Sequence, residues 1–283
     1  MAAVSDRAGG WPLALPLTLA FMAFFAAPLL MLLATSAYDD DMLTRPGLDN
    51  WRKFAGDPFY WKVTLDTLRL GALTVCATLL VGYPLAVAYM QAGERWRRIM
   101  LFVIVMPVLL SVVVRTFAWI VILGNEGVIN QAVMALGLSP VPLRLLQTEL
   151  GLVLSLTQIE MPMMLLPLIG VMARIDRNLI DASVALGASR WRTLFKVILP
   201  LSLPGLVAGC TLVFASSTTA FISQSVIGGN RLVYLPLVIW QQSLVVYNWP
   251  LAAVASVVLL ASVMLCILLI AALGRRGMRY LHV

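Results

Sequence analysis

Six stretches of this chain run almost without charge for longer than the roughly 20 residues an α-helix needs to cross a bilayer. They are Leu13–Ala37, Val63–Met90, Ile99–Leu123, Thr148–Met172, Leu201–Ile227 and Leu251–Leu273. A segment in lipid must satisfy its own backbone hydrogen bonds, so each is expected as a helix. With 61% hydrophobic and 12% charged residues in 283, too little polar surface exists to cover a soluble core. The expected fold class is all-α integral membrane with six transmembrane helices. Residues 1–12 form a short N-terminus, 13–273 the membrane domain and 274–283 a tail.

The formal charge of +7 is distributed at the ends of the apolar stretches, as topology determinants are, so a nucleic-acid partner is excluded. Six crossings put both termini on one side. That side holds twelve basic residues: Arg7, Arg95, Arg97, Arg98, Arg174, Arg177, Arg190, Arg192, Lys196, Arg275, Arg276 and Arg279. The opposite loops hold six, four of them in the long first loop. The positive-inside rule therefore makes both termini cytoplasmic.

Catalytic raw material is scarce. Cys76, Cys210 and Cys266 lie inside apolar stretches, spaced unlike metal ligands, and read as packing residues without a disulfide. His282, the only histidine, sits next to the C-terminus. No phosphate-binding P-loop is present, so ATP and Mg belong to a partner, and the chain itself holds no cofactor. Turn signals fill 39–62, a mixed loop at 124–147 has room for a short interfacial helix, and 234–249 is apolar but interrupted.

Several polar groups stand in or beside the spans. Asp66 and Arg69, three apart on one face, are expected to pair. Arg115 lies in the outer half of the third span and Glu160 near the middle of the fourth. Charges at that depth cost at least ~2.5 kcal/mol, so they either pair with each other or face a water-filled path, where Glu160 can meet an ammonium group. Pro162 and Pro167 loosen the helix that carries Glu160. In the fifth span Ser216, Thr219 and Ser223 share one face and Ser217 and Gln224 another, a stripe suited either to helix contact or to a path. The candidate path residues are thus Arg115, Glu160, Ser216, Thr219, Ser223 and Gln224.

Between the fourth and fifth spans, about 174–200, the chain reads as two short exposed helices. Asn178 with Asp181 suits a capping pair, Gly187 a left-handed helix end, Ser189 a second cap, and Pro200 a new start. Ala182, Ala185 and Leu186 form a small apolar tip. Asp181-Ala182-Ser183-x₃-Gly187-x₉-Val197-x-Leu199-Pro200 resembles the coupling loop of ATP-binding-cassette (ABC) importer permeases, Glu-Ala-Ala-x₃-Gly-x₉-Ile-x-Leu-Pro. Asp181, Ser183 and Val197 are conservative departures.

The resemblance extends from about Leu13 to Arg276 through Leu80–Ala86, Arg115–Ile120, Leu199–Gly205 and Asn248–Leu251, and looks like the permeases of spermidine/putrescine importers. That group also takes up mannopine-type opines and aminoethylphosphonate. The resemblance implies a type I (MetI-like) fold and a bacterial inner-membrane location. It implies as partners an ATPase dimer, a second and different permease subunit, a periplasmic substrate-binding protein and membrane lipid. It further implies that Asp181, Ala182, Ser183, Leu186, Gly187, Arg190 and Arg192 meet the ATPase. Polyamine members commonly carry an acid before the Phe of the fifth span, where this chain has Ala220. A polyamine is the expected solute, an opine or aminoethylphosphonate the alternative. A secondary transporter or channel is the reading from another class. An integral membrane enzyme would need a catalytic constellation that the sequence does not display.

Overall fold

The computed structural model describes residues 11–278, and within them the chain is helical, with one isolated antiparallel bridge between Tyr38 and Pro46. The tail beyond Met278, with Arg279 and His282, and the first ten residues, with Arg7, lie outside the described residues. Six helical stretches are long and apolar enough to cross a membrane. The contacts fall into two compact units: the chain up to Tyr60 with Val238–Val258, and Trp61–Leu237 with the chain from Leu259 onward.

The first unit contains α1 (Trp11–Thr35), whose apolar window is 0% buried. In the loop after it, Asp40 accepts from the Thr44 hydroxyl and from the backbone of Thr44 and Arg45. These bonds, led by the Thr44 hydroxyl, hold its carboxyl below the usual carboxylate range. The buried Asn50 amide donates to the Tyr38 and Asp39 carbonyls at 3.1 and 3.3 Å. Asn50 belongs to α2 (Asp49–Gly56), a helix the turn-rich sequence of this loop hid.

The second unit holds most of the core. Its helices are α3 (Pro58–Gln91, from Trp61), α4 (Glu94–Val105), α5 (Val112–Leu123), α6 (Val128–Ala135) and α7 (Glu149–Met172). They continue as α8 (Arg177–Ala185), α9 (Arg190–Thr193), α10 (Leu199–Thr218) and α11 (Phe221–Gly228). α12 (Leu235–Trp240) and α13 (Trp249–Met278) each begin in one unit and end in the other. α7 is the axis of the second unit, with 61% of its apolar window buried. Leu152 and Leu156 pack in one cluster with Leu70, Leu123 and Ile227; Leu165, Leu168 and Met172 pack in a second with Ala86 and Ile198.

α7 and α10 meet with almost nothing between their backbones. A Cβ on Gly205 would stand 2.9 Å from the Pro167 carbonyl oxygen, and one on Gly209 2.9 Å from that of Met164. Small residues permit this approach in a membrane, where dispersion and backbone contact replace hydrophobic expulsion. The three cysteines are free thiols: Cys76 exposed, Cys210 buried, Cys266 half-buried.

Three expected spans are reshaped. The second begins at Pro58, not Val63, because proline fits the first turn of a helix. The third does not run from Ile99 to Leu123. Pro107 sits in a 3₁₀ turn over Met106–Leu109 and Leu110 is extended, so α4 and α5 are separate and the membrane-length stretch becomes Val112–Ala135. The fifth starts at Arg190 and ends at Thr218, and the chain breaks at Thr219–Ala220 before α11. A short helix does form in 124–147: it is α6, and it belongs to the membrane-length stretch.

Candidate functional site

Two places gather the candidate residues, and both belong to the second unit. The first is the elbow between α7 and α10. Asp176, not Asn178, caps α8, its carboxylate accepting from the Asn178 amide at 2.9 Å. Aspartate two residues ahead of an amide makes this short ring more readily than Asn178 can from inside the helix. Gly187 has φ +80°, its N–H reaches the Val184 carbonyl, and the Ala188 N–H reaches that of Ser183. This pair of bonds is a Schellman end, which needs the left-handed residue glycine supplies. Ser189 caps α9 by accepting from the Arg192 amide at 3.4 Å.

Pro200 stands at the start of α10, as expected, but without a break before it. A π-turn over Leu194–Ile198 joins α9 to α10, and Pro200 falls in the first turn of α10, where the missing N–H costs little. Leu186 is 89% exposed and Asp181, Ala182, Gly187, Arg190 and Arg192 are exposed with it. Ser183 turns inward, its hydroxyl 3.0 Å from that of Thr193, and ties α8 to α9. Trp191 and Phe195 stack 6.1 Å apart on the outside. Sequence reasoning passed over this pair, although aromatics four apart on a helix are a readable signal.

The second place is a cavity of about 460 Å³ framed by α5, α7, α10 and α11. Arg115, Glu160, Ser216, Thr219 and Ser223 all line it, and so does Ala220. Glu160 is 5% exposed and shares the cavity wall with Ser216 and Arg115. Arg115 and Glu160 are not an ion pair; the pairs among the described residues are Arg52–Asp49, Arg69–Glu149 and Arg98–Glu94. Arg115 donates instead to the Ile159 carbonyl at 3.2 Å, and its Nε is buried without a partner. That carbonyl lies in the turn that Pro162 loosens.

Asp66 does not hold Arg69 either, because Arg69 reaches across to Glu149 of α7 at 3.0 Å. Gln224 stands apart from the cavity lining. Its amide is 1% exposed and donates to the carbonyls of Ser217 and Thr218 at 2.9 and 3.3 Å, sealing the open end of α10. Spacing alone put Gln224 and Ser217 on one face of a continuous helix, and the break at Thr219–Ala220 removes that periodicity. Two further bonds brace the frame: Thr116 to Ser223 at 3.0 Å, and Trp119 to the Gln158 side chain at 3.0 Å.

Chemically, the cavity offers one acid, one guanidinium and three hydroxyls to a polar solute, while the elbow offers a small apolar tip ringed by charge.

Residues 78–280 match the family described as the inner membrane component of binding-protein-dependent transport systems. The spermidine/putrescine transport system permease protein PotB of Haemophilus influenzae is 30% identical over 243 residues, covering 83% of each chain. Among solved structures, a bacterial alginate ABC transporter in complex with an alginate pentasaccharide-bound periplasmic protein gives a TM-score of 0.75 at 16% identity. The alignment covers 95% of this chain and 94% of that one. The MetNI methionine ABC transporter in inward-facing conformation gives 0.57 at 19% identity over 79% and 98%. These two likenesses are of fold.

Proposed function

The chain belongs to the family of binding-protein-dependent transport inner membrane components, and from that premise we propose that it is one of two membrane subunits of a bacterial polyamine importer. It is a transport subunit, not an enzyme. ATP with Mg is spent by a partner ATPase dimer, a periplasmic binding protein delivers the solute, and a different permease completes the pathway. In this reading the termini and the elbow face the cytoplasm, which the excess of basic residues on their side supports.

The observation that carries the reading is the exposed Schellman turn at Gly187, with Leu186 at its tip and Asp181, Ala182, Arg190 and Arg192 around it. An isolated soluble loop has no use for a bare leucine held this rigidly; a docking surface has. Closure of the ATPases would draw two such elbows together and tilt the bundles as rigid bodies, opening the cavity outward, and hydrolysis would reset it. The experiment is affinity purification of the tagged chain from its own membrane. An ATPase and a second permease should come down with it, and uptake in proteoliposomes should require ATP and the binding protein. Transport by the chain alone, down a gradient, would make it a secondary transporter or channel and end this account.

For the solute, the 30% identity with PotB favours a polyamine. Where Ala220 leaves the cavity without an acid on the fifth span, Glu160 supplies one from α7, beside the Ser216 and Thr219 hydroxyls. Glu160→Gln should therefore lower spermidine uptake at least about tenfold while leaving protein abundance unchanged, since an ammonium–carboxylate contact in a dry site is strong. Arg115 on the same wall favours a second reading, a zwitterion such as an opine or aminoethylphosphonate. Competition decides: if the zwitterion, and not spermidine, blocks uptake, the polyamine assignment falls while the importer remains.

A further inference from the structure

Beside the elbow lies a groove of about 510 Å³ that the translocation path does not use and that shares only Asp181 and Arg190 with the docking surface. It opens where three membrane-length stretches end together, at Gln91 of α3, Met172 of α7 and Arg190 before α10. Its mouth therefore stands at the boundary between lipid and water. Met90, Met172, Ile175 and Ile198 form an apolar floor, while Arg97, Arg177 and Arg190 stand on the rim against a single acid, Asp181.

From this arrangement we infer that the groove seats the phosphate headgroup of an anionic phospholipid, with the start of an acyl chain on its floor. Arg97 is held still: its Nε and one terminal nitrogen donate to the Tyr89 and Met90 carbonyls at 3.1 and 2.5 Å, and its guanidinium lies 5.8 Å from the centre of the Tyr89 ring. Arg177 and Arg190 are exposed and in no ion pair among the described residues, so their planar forks are available to phosphate oxygens. Trp96 and Trp191, next in sequence to Arg97 and Arg190, are 65% and 70% exposed, and indoles concentrate at the headgroup level of a membrane. Basic pockets between the cytoplasmic ends of membrane helices are the usual seats of anionic headgroups. A bound lipid would join the α3–α4 corner, through Arg97, to the elbow, through Arg177 and Arg190. The stiffness of the elbow would then depend on membrane composition.

The proposal needs only that the chain is embedded in a membrane, so its failure leaves the importer reading intact, and its test involves neither ATP nor solute. The full-length chain in detergent is offered phosphatidylglycerol or phosphatidylcholine, and retained lipid is read by native mass spectrometry alongside the thermal midpoint. Wild type should retain phosphatidylglycerol at least about tenfold better and melt later with it, the preference two charge-assisted contacts produce. The double variant Arg177→Gln/Arg190→Gln should lose both effects. Lys196→Gln, which removes an exposed charge outside the groove, should lose neither. Equal retention of the two lipids, or an unchanged preference in the double variant, overturns the proposal. So does displacement of phosphatidylglycerol by inorganic phosphate at the same concentration, which would make the ligand a free oxyanion.

Discussion

The elbow joins two membrane helices and the cavity wall breaks one, and the two turns are held by different means. At the elbow every bond is local. Gly187 and Ala188 reach back within α8, Asp176 and Ser189 cap their own helices, and the longest tie, Ser183 to Thr193, spans ten residues. At the cavity the break is sealed locally by Gln224, but the wall around it is tied across helices: Thr116 to Ser223 joins residues 107 apart, and Arg115 to Ile159 joins residues 44 apart. A turn closed by its own neighbours keeps its shape while its side chains stay exposed and unburdened. A turn closed by other helices keeps its shape only while those helices stay packed. The elbow is thus free to spend its side chains on another protein, whereas the cavity wall and the core are one structure.

Four substitutions test that contrast, in order of expected cost. Gly209→Leu should be the worst, because its Cβ would collide with the Met164 backbone and sulfur. Overpacking a rigid seam costs about 3 kcal/mol, read as a lowered thermal midpoint and a several-fold loss of folded protein. Gln224→Leu should follow at about 2 kcal/mol, since it leaves the buried Ser217 and Thr218 carbonyls without a donor. If its thermal midpoint matched wild type, the break at Thr219–Ala220 would be held by the ties between helices and not by this local seal.

Gly187→Val introduces no collision, as nothing lies within 4 Å of the new Cβ, so its cost is the strained φ of about 1–2 kcal/mol. Its main effect should be on function: ATP hydrolysis by the assembled transporter continues while uptake falls, and Gly187→Asn, which tolerates φ > 0, recovers part of the loss. Normal uptake in the valine variant would detach the turn from coupling. Leu186→Asp should be the mildest for stability, within about 0.5 kcal/mol at so exposed a site. Its visible effect should be weaker retention of the ATPase on a tagged chain, and undiminished retention would move the docking contact elsewhere.

The same contrast explains what the sequence could and could not disclose. Gly187 and Ser189 were legible because glycine and serine act on their immediate neighbours, and the six apolar stretches because lipid imposes length and composition. Asp176 caps in place of Asn178, two residues away, and the sequence alone does not separate two residue types that cap almost equally well. Less legible was anything decided by a partner distant in the chain. Arg69 looked paired with Asp66 until Glu149, 80 residues away, came within reach. Gln224 is a different case: its partners are only six and seven residues away, but the break that turns it toward them contains no proline or glycine, only Thr219 and Ala220, and so leaves the pattern of a continuous helix in the sequence. Pro107, by contrast, advertised the separation of α4 from α5, but the apolar residues around it masked the interruption.

Where Gly205 and Gly209 lie against α7, two main chains touch with no side chain between them to act as a cushion. α10 continues from the elbow through its π-turn, and α7 carries Glu160, so both ends of the machine meet along that seam. A pull on the elbow would find no slack to absorb it: the two helices would swing as one plank, and the acid in the cavity wall would travel with them.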